Sequence, residues 1–188
     1  MLETWKNALL NPKKTFKKEK KKSNLGLGAN YIAKAGIIAG IIAGIASLNL
    51  TNFIFSIILY PILNVVGWLL GSAIYYMFAK LLGGKGDYTK QSYLMSLYIA
   101  PLSIVSAILV SIPVVGIWLS FFVTVFGLYL LTFALKEAHN YSTDKAVLTW
   151  LIPFIILVII LLIGLGLFIM YAVSNYGSMI PELSQILV

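Results

Sequence analysis

The residues able to do chemistry in this chain are few and gather in two short polar stretches. Gly83-Gly84-Lys85-Gly86-Asp87 carries the glycines and the lysine of a phosphate-cradling loop. A P-loop, however, needs Ser or Thr after its lysine and a strand before its first glycine. Here Gly86 follows Lys85 and an apolar helical run precedes Gly83, so the stretch reads as a tight turn. His139, the one histidine, stands in Lys136-Glu137-Ala138-His139-Asn140 with Asp144 nearby. A metal site needs three or four converging ligands, and the apolar runs hold no carboxylate or imidazole that could join it. His139 is therefore expected to be a solvated loop histidine. With no cysteine there is no disulfide, thiolate site or Cys nucleophile. Neither an enzymatic activity nor a cofactor is expected.

The elements that must carry these stretches are set by an extreme composition. Sixty per cent of the residues are hydrophobic and 11% charged, with a mean hydropathy of +0.94, where soluble domains carry roughly a quarter charged residues. Uncharged runs cover residues 35–79, 91–135 and 146–181. At ~1.5 Å per residue, a helix spanning either of the first two runs would be roughly twice the ~30 Å hydrocarbon core, so each must fold back. The expected fold is all-α, with five transmembrane helices as two hairpins and a final span: about 31–48, 53–82, 91–112, 114–135 and 146–173. Asn49-Leu50-Thr51-Asn52 is the expected first turn, and Pro113 with Gly116 the second reversal. A 15-residue tail, 174–188, completes the chain.

All fourteen basic residues are lysines, and they fall in residues 1–34, 80–90 and 136–145. With the N-terminus inside, every one lies in a cytoplasmic segment or at the inner end of a span, as basic loops require. The 34-residue charged leader is unlike a secretory signal peptide, so the first apolar stretch is expected to persist as an anchor. Leu2, Trp5 and Leu9 follow i, i+3, i+7 spacing, describing a short helix in the headgroup plane, and Asn11-Pro12 opens a second helix. Lys13, Lys14, Lys17, Lys18, Lys20, Lys21 and Lys22, with Trp5, are the candidates for contact with anionic headgroups. Without arginine or a base-reading motif the stretch is not a nucleic-acid binder.

Within the spans, Gly36, Gly40 and Gly44 share one helix face, and Gly67 with Gly71 repeats the device, letting a second backbone approach closely. The approach can come from the hairpin partner or from a second copy or another membrane protein. Asn64, Tyr75, Tyr76 and Ser96 are the polar exceptions that could form a pocket, and Pro61, Pro101 and Pro153 could break their helices. A membrane-organising interaction protein is the leading function; a small channel or transporter, as a homodimer, is the alternative.

Read as a series, Asn11-Pro12-Lys13-Lys14-Thr15-Phe16, then Leu81-Leu82-Gly83-Gly84-Lys85-Gly86-Asp87-Tyr88, Tyr98-Ile99-Ala100-Pro101-Leu102, and Ala134-Leu135-Lys136-Glu137-Ala138-His139 with Ser142 and Lys145-Ala146, resemble the Yip domain family. These are the Ypt/Rab-GTPase-interacting proteins, here in a compact prokaryotic form. The resemblance implies a non-enzymatic five-helix membrane protein with a cytoplasmic N-terminus. Its eukaryotic members act in vesicle traffic at Golgi and endoplasmic-reticulum membranes and bind prenylated Rab GTPases. This chain lacks their longer acidic cytosolic region and the Asp-Leu-x-Gly-Pro type motif around Tyr60-Pro61, which weakens the case for a Rab-type partner and points to a prokaryotic plasma membrane.

Five crossings place the two termini on opposite sides. A tag on Val188 is therefore expected to react only with an impermeant reagent applied outside; labelling from the cytosolic side would overturn the topology.

Overall fold

The computed structural model describes residues 1–176, and among these all regular structure is helical. Two short helices, α1 (Leu2–Leu10) and α2 (Pro12–Glu19), are followed by a 3-10 turn at Lys20–Lys22. Five long helices come next: α3 (Leu25–Ala46), α4 (Leu50–Leu81), α5 (Tyr88–Val110), α6 (Val115–His139) and α7 (Thr143–Tyr176). All five are long and apolar enough to cross a membrane. Residues 1–150 form one compact unit and the rest of α7, from Leu151, a second, a single apolar helix. The expected tail from residue 177 onwards, with Val188, lies outside the described residues.

The helices overrun the apolar stretches, because capping side chains rather than hydropathy set their starts. Asn24 accepts the amide of Leu27 at 2.8 Å, so α3 begins six residues before the expected span. Asp87 caps α5 through the Lys90 amide at 2.7 Å. Asn49 does the same for Asn52 at 3.0 Å, which corrects the expected first turn: Leu50, Thr51 and Asn52 are already helical, and the reversal is made at 47–49 with Leu48 at φ 50°. Such an N-cap is worth ~1 kcal/mol. Pro61, Pro101 and Pro153 all sit inside continuous helices and break none of them. Asn11 and Pro12 hold the N-cap and first positions of α2, but the Asn11 side chain makes no capping bond.

The α3–α4 hairpin is closed by backbone approach. A Cβ on Gly36 would lie 2.5 Å from Pro61 Cα, one on Gly40 2.5 Å from the Ser56 carbonyl oxygen, and one on Gly44 2.7 Å from the Phe53 ring. Gly67 and Gly71 behave differently: nothing lies within 4 Å of a Cβ built on either. The glycine triplet thus packs the hairpin within the chain, whereas Gly67 and Gly71 lie on an open face.

The core of the first unit surrounds the first half of α5. Gln91 to Tyr98 and Ala100 are buried without a polar face, as expected of a helix covered all round. α1, α3, α4, α6 and the short turn after α2 all pack against α5. Trp68 of α4 donates through Nε1 to the Ser92 carbonyl at 2.9 Å, and Tyr88 Oη donates to the Leu69 carbonyl at 2.9 Å.

Gly40→Ala should lower stability by ~1–3 kcal/mol through overpacking, while Gly71→Ala should be neutral or stabilising by up to ~1 kcal/mol. Thermal unfolding of the two variants in detergent measures the contrast, and equal midpoints would contradict the close approach.

Candidate functional site

The glycine-rich loop and the histidine meet at one end of the first unit. α4 closes with Gly83 at φ +82°. The Gly84 amide bonds the Ala79 carbonyl at 2.8 Å and the Gly83 amide that of Lys80 at 3.0 Å, a Schellman stop that needs a residue without a Cβ in the left-handed region. The loop then lies flat on His139: a Cβ on Gly84 would stand 2.6 Å from Nδ1. The Gly86 amide donates to Nδ1 at 3.2 Å, and Lys85 donates through its amide to the His139 carbonyl at 3.2 Å.

On the other edge of the ring, Nε2 is 2.8 Å from Gln91 Oε1, and Gln91 Nε2 donates to the Ser72 carbonyl at 2.7 Å. Because Nδ1 accepts and the Gln91 amide nitrogen is engaged elsewhere, the partners assign the proton to Nε2. His139 is 0% exposed, which corrects the expectation of a solvated loop histidine. It is the last residue of α6, and Asn140 turns the chain away in the left-handed conformation. The imidazole is held as a neutral bracket joining α4, the α4–α5 loop, α5 and α6. Among the described residues no His, Asp and Glu cluster could hold a metal ion.

Charged groups outside the helical spans surround this bracket. Burial pushes the Asp87 carboxyl up, but the Lys90 amide, side-chain hydrogen bond and charge outweigh it and hold the group below its usual 3.8. Its contribution to stability is thus present above that value and lost as pH falls through the lower folded value. Burial raises the Tyr141 hydroxyl, opposed by its hydrogen bond with Thr149 at 2.8 Å. Lys145 Nζ donates to the Leu82 carbonyl at 3.0 Å.

The leader is docked on this same end. Trp5, Ala8, Phe16 and Glu19 are buried, because the apolar faces of α1 and α2 turn into the helices. Trp5 is 3% exposed and meets Tyr31 edge to face at 6.0 Å, which corrects its assignment to the membrane surface. Glu19 Oε2 accepts from Tyr93 Oη at 3.0 Å. Lys20 bridges Glu137 at 3.0 Å and Asn140 Oδ1 at 3.0 Å, and Lys13 lies 5.2 Å from the Phe133 ring centre. Lys22 stands 3.8 Å from Glu19. Lys14, Lys17, Lys18 and Lys21 remain exposed.

The four polar residues expected to form a pocket do not converge. Asn64 and Tyr75 line a groove of ≈460 Å³ between α4, α5 and α6, with Gly67 and Gly71 beside them. Tyr76 packs instead on Tyr88 and His139, and Ser96 is buried with its hydroxyl donating to the Tyr93 carbonyl at 2.7 Å. Asn64 Nδ2 donates to Tyr60 of its own helix at 2.8 Å, and Ser103 in the same groove donates to the Ala100 carbonyl at 2.8 Å. Sequence reasoning missed Gln91, Ser72, Tyr93 and Glu19. Gln91, the one side-chain amide near the start of a long uncharged run, was the available signal.

Five apolar helices and a docked basic leader define a multi-span integral membrane protein. The Yip1 domain model matches residues 6–181, and the chain belongs to that family of generally non-enzymatic trafficking proteins. No curated protein and no solved structure matches it.

His139→Ala strands the Gly86 amide and Gln91 Oε1, and Gln91→Ala strands His139 Nε2. Each should cost ~2–4 kcal/mol, and the double variant less than their sum by ~0.5–3 kcal/mol. Lys20→Gln, breaking a partly exposed pair, should cost under ~1 kcal/mol. Unfolding midpoints of the four variants check all three expectations.

Proposed function

We propose that this chain is a non-enzymatic membrane-organising interaction protein that presents a fixed cationic face to anionic lipid at the inner surface of its membrane. The observation that carries the reading is the docking of the leader: with Trp5, Phe16 and Glu19 buried, α2 cannot turn, and Lys14, Lys17, Lys18 and Lys21 stay exposed. A flexible lysine tail loses side-chain and backbone freedom on binding; a clamped one has already lost the backbone share. Each lysine near an anionic surface adds roughly 1 kcal/mol. Protein partners are a second copy or another membrane protein, for which Gly67 and Gly71 on their open face are candidate contacts.

The channel or transporter reading draws on the groove at Asn64 and Tyr75. It has less support, because Asn64 and Ser103 donate to carbonyls of their own helices rather than towards a polar path, and the groove is lined mainly by apolar side chains.

Full-length protein in bilayers of mixed neutral and anionic lipid should enrich the anionic species around itself. Enrichment should fall steeply between ~0.1 and ~1 M salt, as the screening length drops from ~10 to ~3 Å. Replacing Lys14, Lys17, Lys18 and Lys21 by glutamine should remove most of it. Enrichment indifferent to both salt and the substitutions would overturn the reading.

A further inference from the structure

α1 and α2 enclose a cleft that an incidental basic leader would not need. The two helices meet at Asn11, and Thr15 Oγ1 of α2 donates to the Asn7 carbonyl of α1 at 2.9 Å, fixing the angle between them. Their apolar faces point into the helices behind, so their polar faces turn towards each other around a cavity of ≈450 Å³, within the ~300–1,000 Å³ of small-molecule sites. Lys14, Lys18 and Lys22 line one wall at successive turns, facing Asn7 and Glu3.

The charge balance of this cleft is selective. Three ammonium groups against the carboxylates of Glu3 and Glu19 leave one net positive charge. Glu19 is engaged by Tyr93 and Lys22, whereas among the described residues Lys14 and Lys18 make no hydrogen bond or ion pair. Two free ammonium groups beside a lone carboxylate suit one singly charged phosphodiester better than a polyphosphate. A second observation names what the phosphodiester is attached to. The opposite side of α1 forms a largely apolar groove of ≈390 Å³ lined by Leu2, Leu9, Leu10, Pro101 and Ile104 among others, with Lys6 the one charged residue on its wall. One nine-residue helix thus separates a cationic notch from an apolar channel, the two halves that an amphiphile requires.

We propose that the α1–α2 cleft is a discrete site for one glycerophospholipid, its phosphate held by Lys14 and Lys18 and an acyl chain lying along the apolar groove over α1. The site rests on the reading of the leader as a lipid-facing surface, and narrows it from diffuse attraction to a single bound molecule.

The experiment is native mass spectrometry of the full-length protein in non-ionic detergent, titrated with phosphatidylglycerol. One retained lipid per chain is expected. Lys14→Gln with Lys18→Gln should weaken retention ~10-fold or more, whereas Lys17→Gln with Lys21→Gln, an equal loss of charge outside the cleft, should change it less than ~3-fold. Diacylglycerol with the same chains should not be retained. Equal weakening by the two pairs would overturn the cleft while leaving the surface-charge reading standing; no weakening by either pair would overturn both. Retention of glycerol phosphate as tight as that of the phospholipid would overturn the lipid assignment in favour of a soluble phosphate ester. Unchanged unfolding midpoints in both variants establish that the fold is intact.

Discussion

A helix with no exposed face needs neighbours on every side, and the first half of α5 imposes that demand on the rest of the first unit. From Gln91 to Tyr98 nothing is left for lipid or water. The α3–α4 hairpin and α6 supply part of the cover. The remainder comes from α1 and the turn after α2, so segments that hydropathy alone would leave at the membrane surface become part of the core. The same demand explains why most of the polar groups at this end are paired, the Ser92 hydroxyl and the Trp5 indole nitrogen being the buried exceptions among the described residues. A buried helix that carries Gln91, Ser92, Tyr93 and Ser96 would be unstable in an apolar surround unless those groups found partners. Trp68 meets the Ser92 carbonyl, Glu19 meets Tyr93, and Ser72 and His139 meet Gln91.

Two kinds of closure coexist in the hairpins. Between α3 and α4 the contact is backbone on backbone, where removal of side-chain volume at Gly36 and Gly40 lets dispersion contacts accumulate. At the other end the contact is a ring of hydrogen bonds around one imidazole. The first is insensitive to solvent, whereas the second works because solvent is excluded, since a neutral histidine with both nitrogens engaged loses nothing by burial. Gly84 and Gly86 belong to the second kind: they are small so that the loop can lie against the ring and the Gly86 amide can reach Nδ1, and the resemblance of their stretch to a phosphate loop comes from that shared need for close backbone approach.

Much of the architecture was legible in the sequence, because hydrocarbon thickness is a rigid ruler. Five long apolar helices follow from run length, and the close-approach face of Gly36, Gly40 and Gly44 from four-residue spacing, though that spacing does not name the partner, which the contacts with Pro61, Ser56 and Phe53 supply. Helix starts were harder to read, since Asn24 and Asn49 act through single hydrogen bonds that hydropathy does not register. His139 was misread because its environment is assembled from residues 48 and 53 positions away, and no local pattern encodes a partner at that distance. Trp5 was misread for a related reason. An amphipathic face at the right spacing reports that something apolar covers it, and lipid and protein fulfil that condition equally well.

The engagement of Glu19 with Tyr93 also carries a meaning in time. The two residues are 74 positions apart, and Lys20 lies 117 positions before Glu137. At a synthesis rate of ~5–20 residues per second, about 4–15 s separate the synthesis of Glu19 from that of Tyr93. During that interval α1 and α2 are finished amphipathic segments with no interior to enter, and the nearest apolar refuge is the bilayer into which α3 is being threaded. Until α5 and α6 arrive, the faces of α1 and α2 that are buried in the folded chain thus lack most of the interior that covers them.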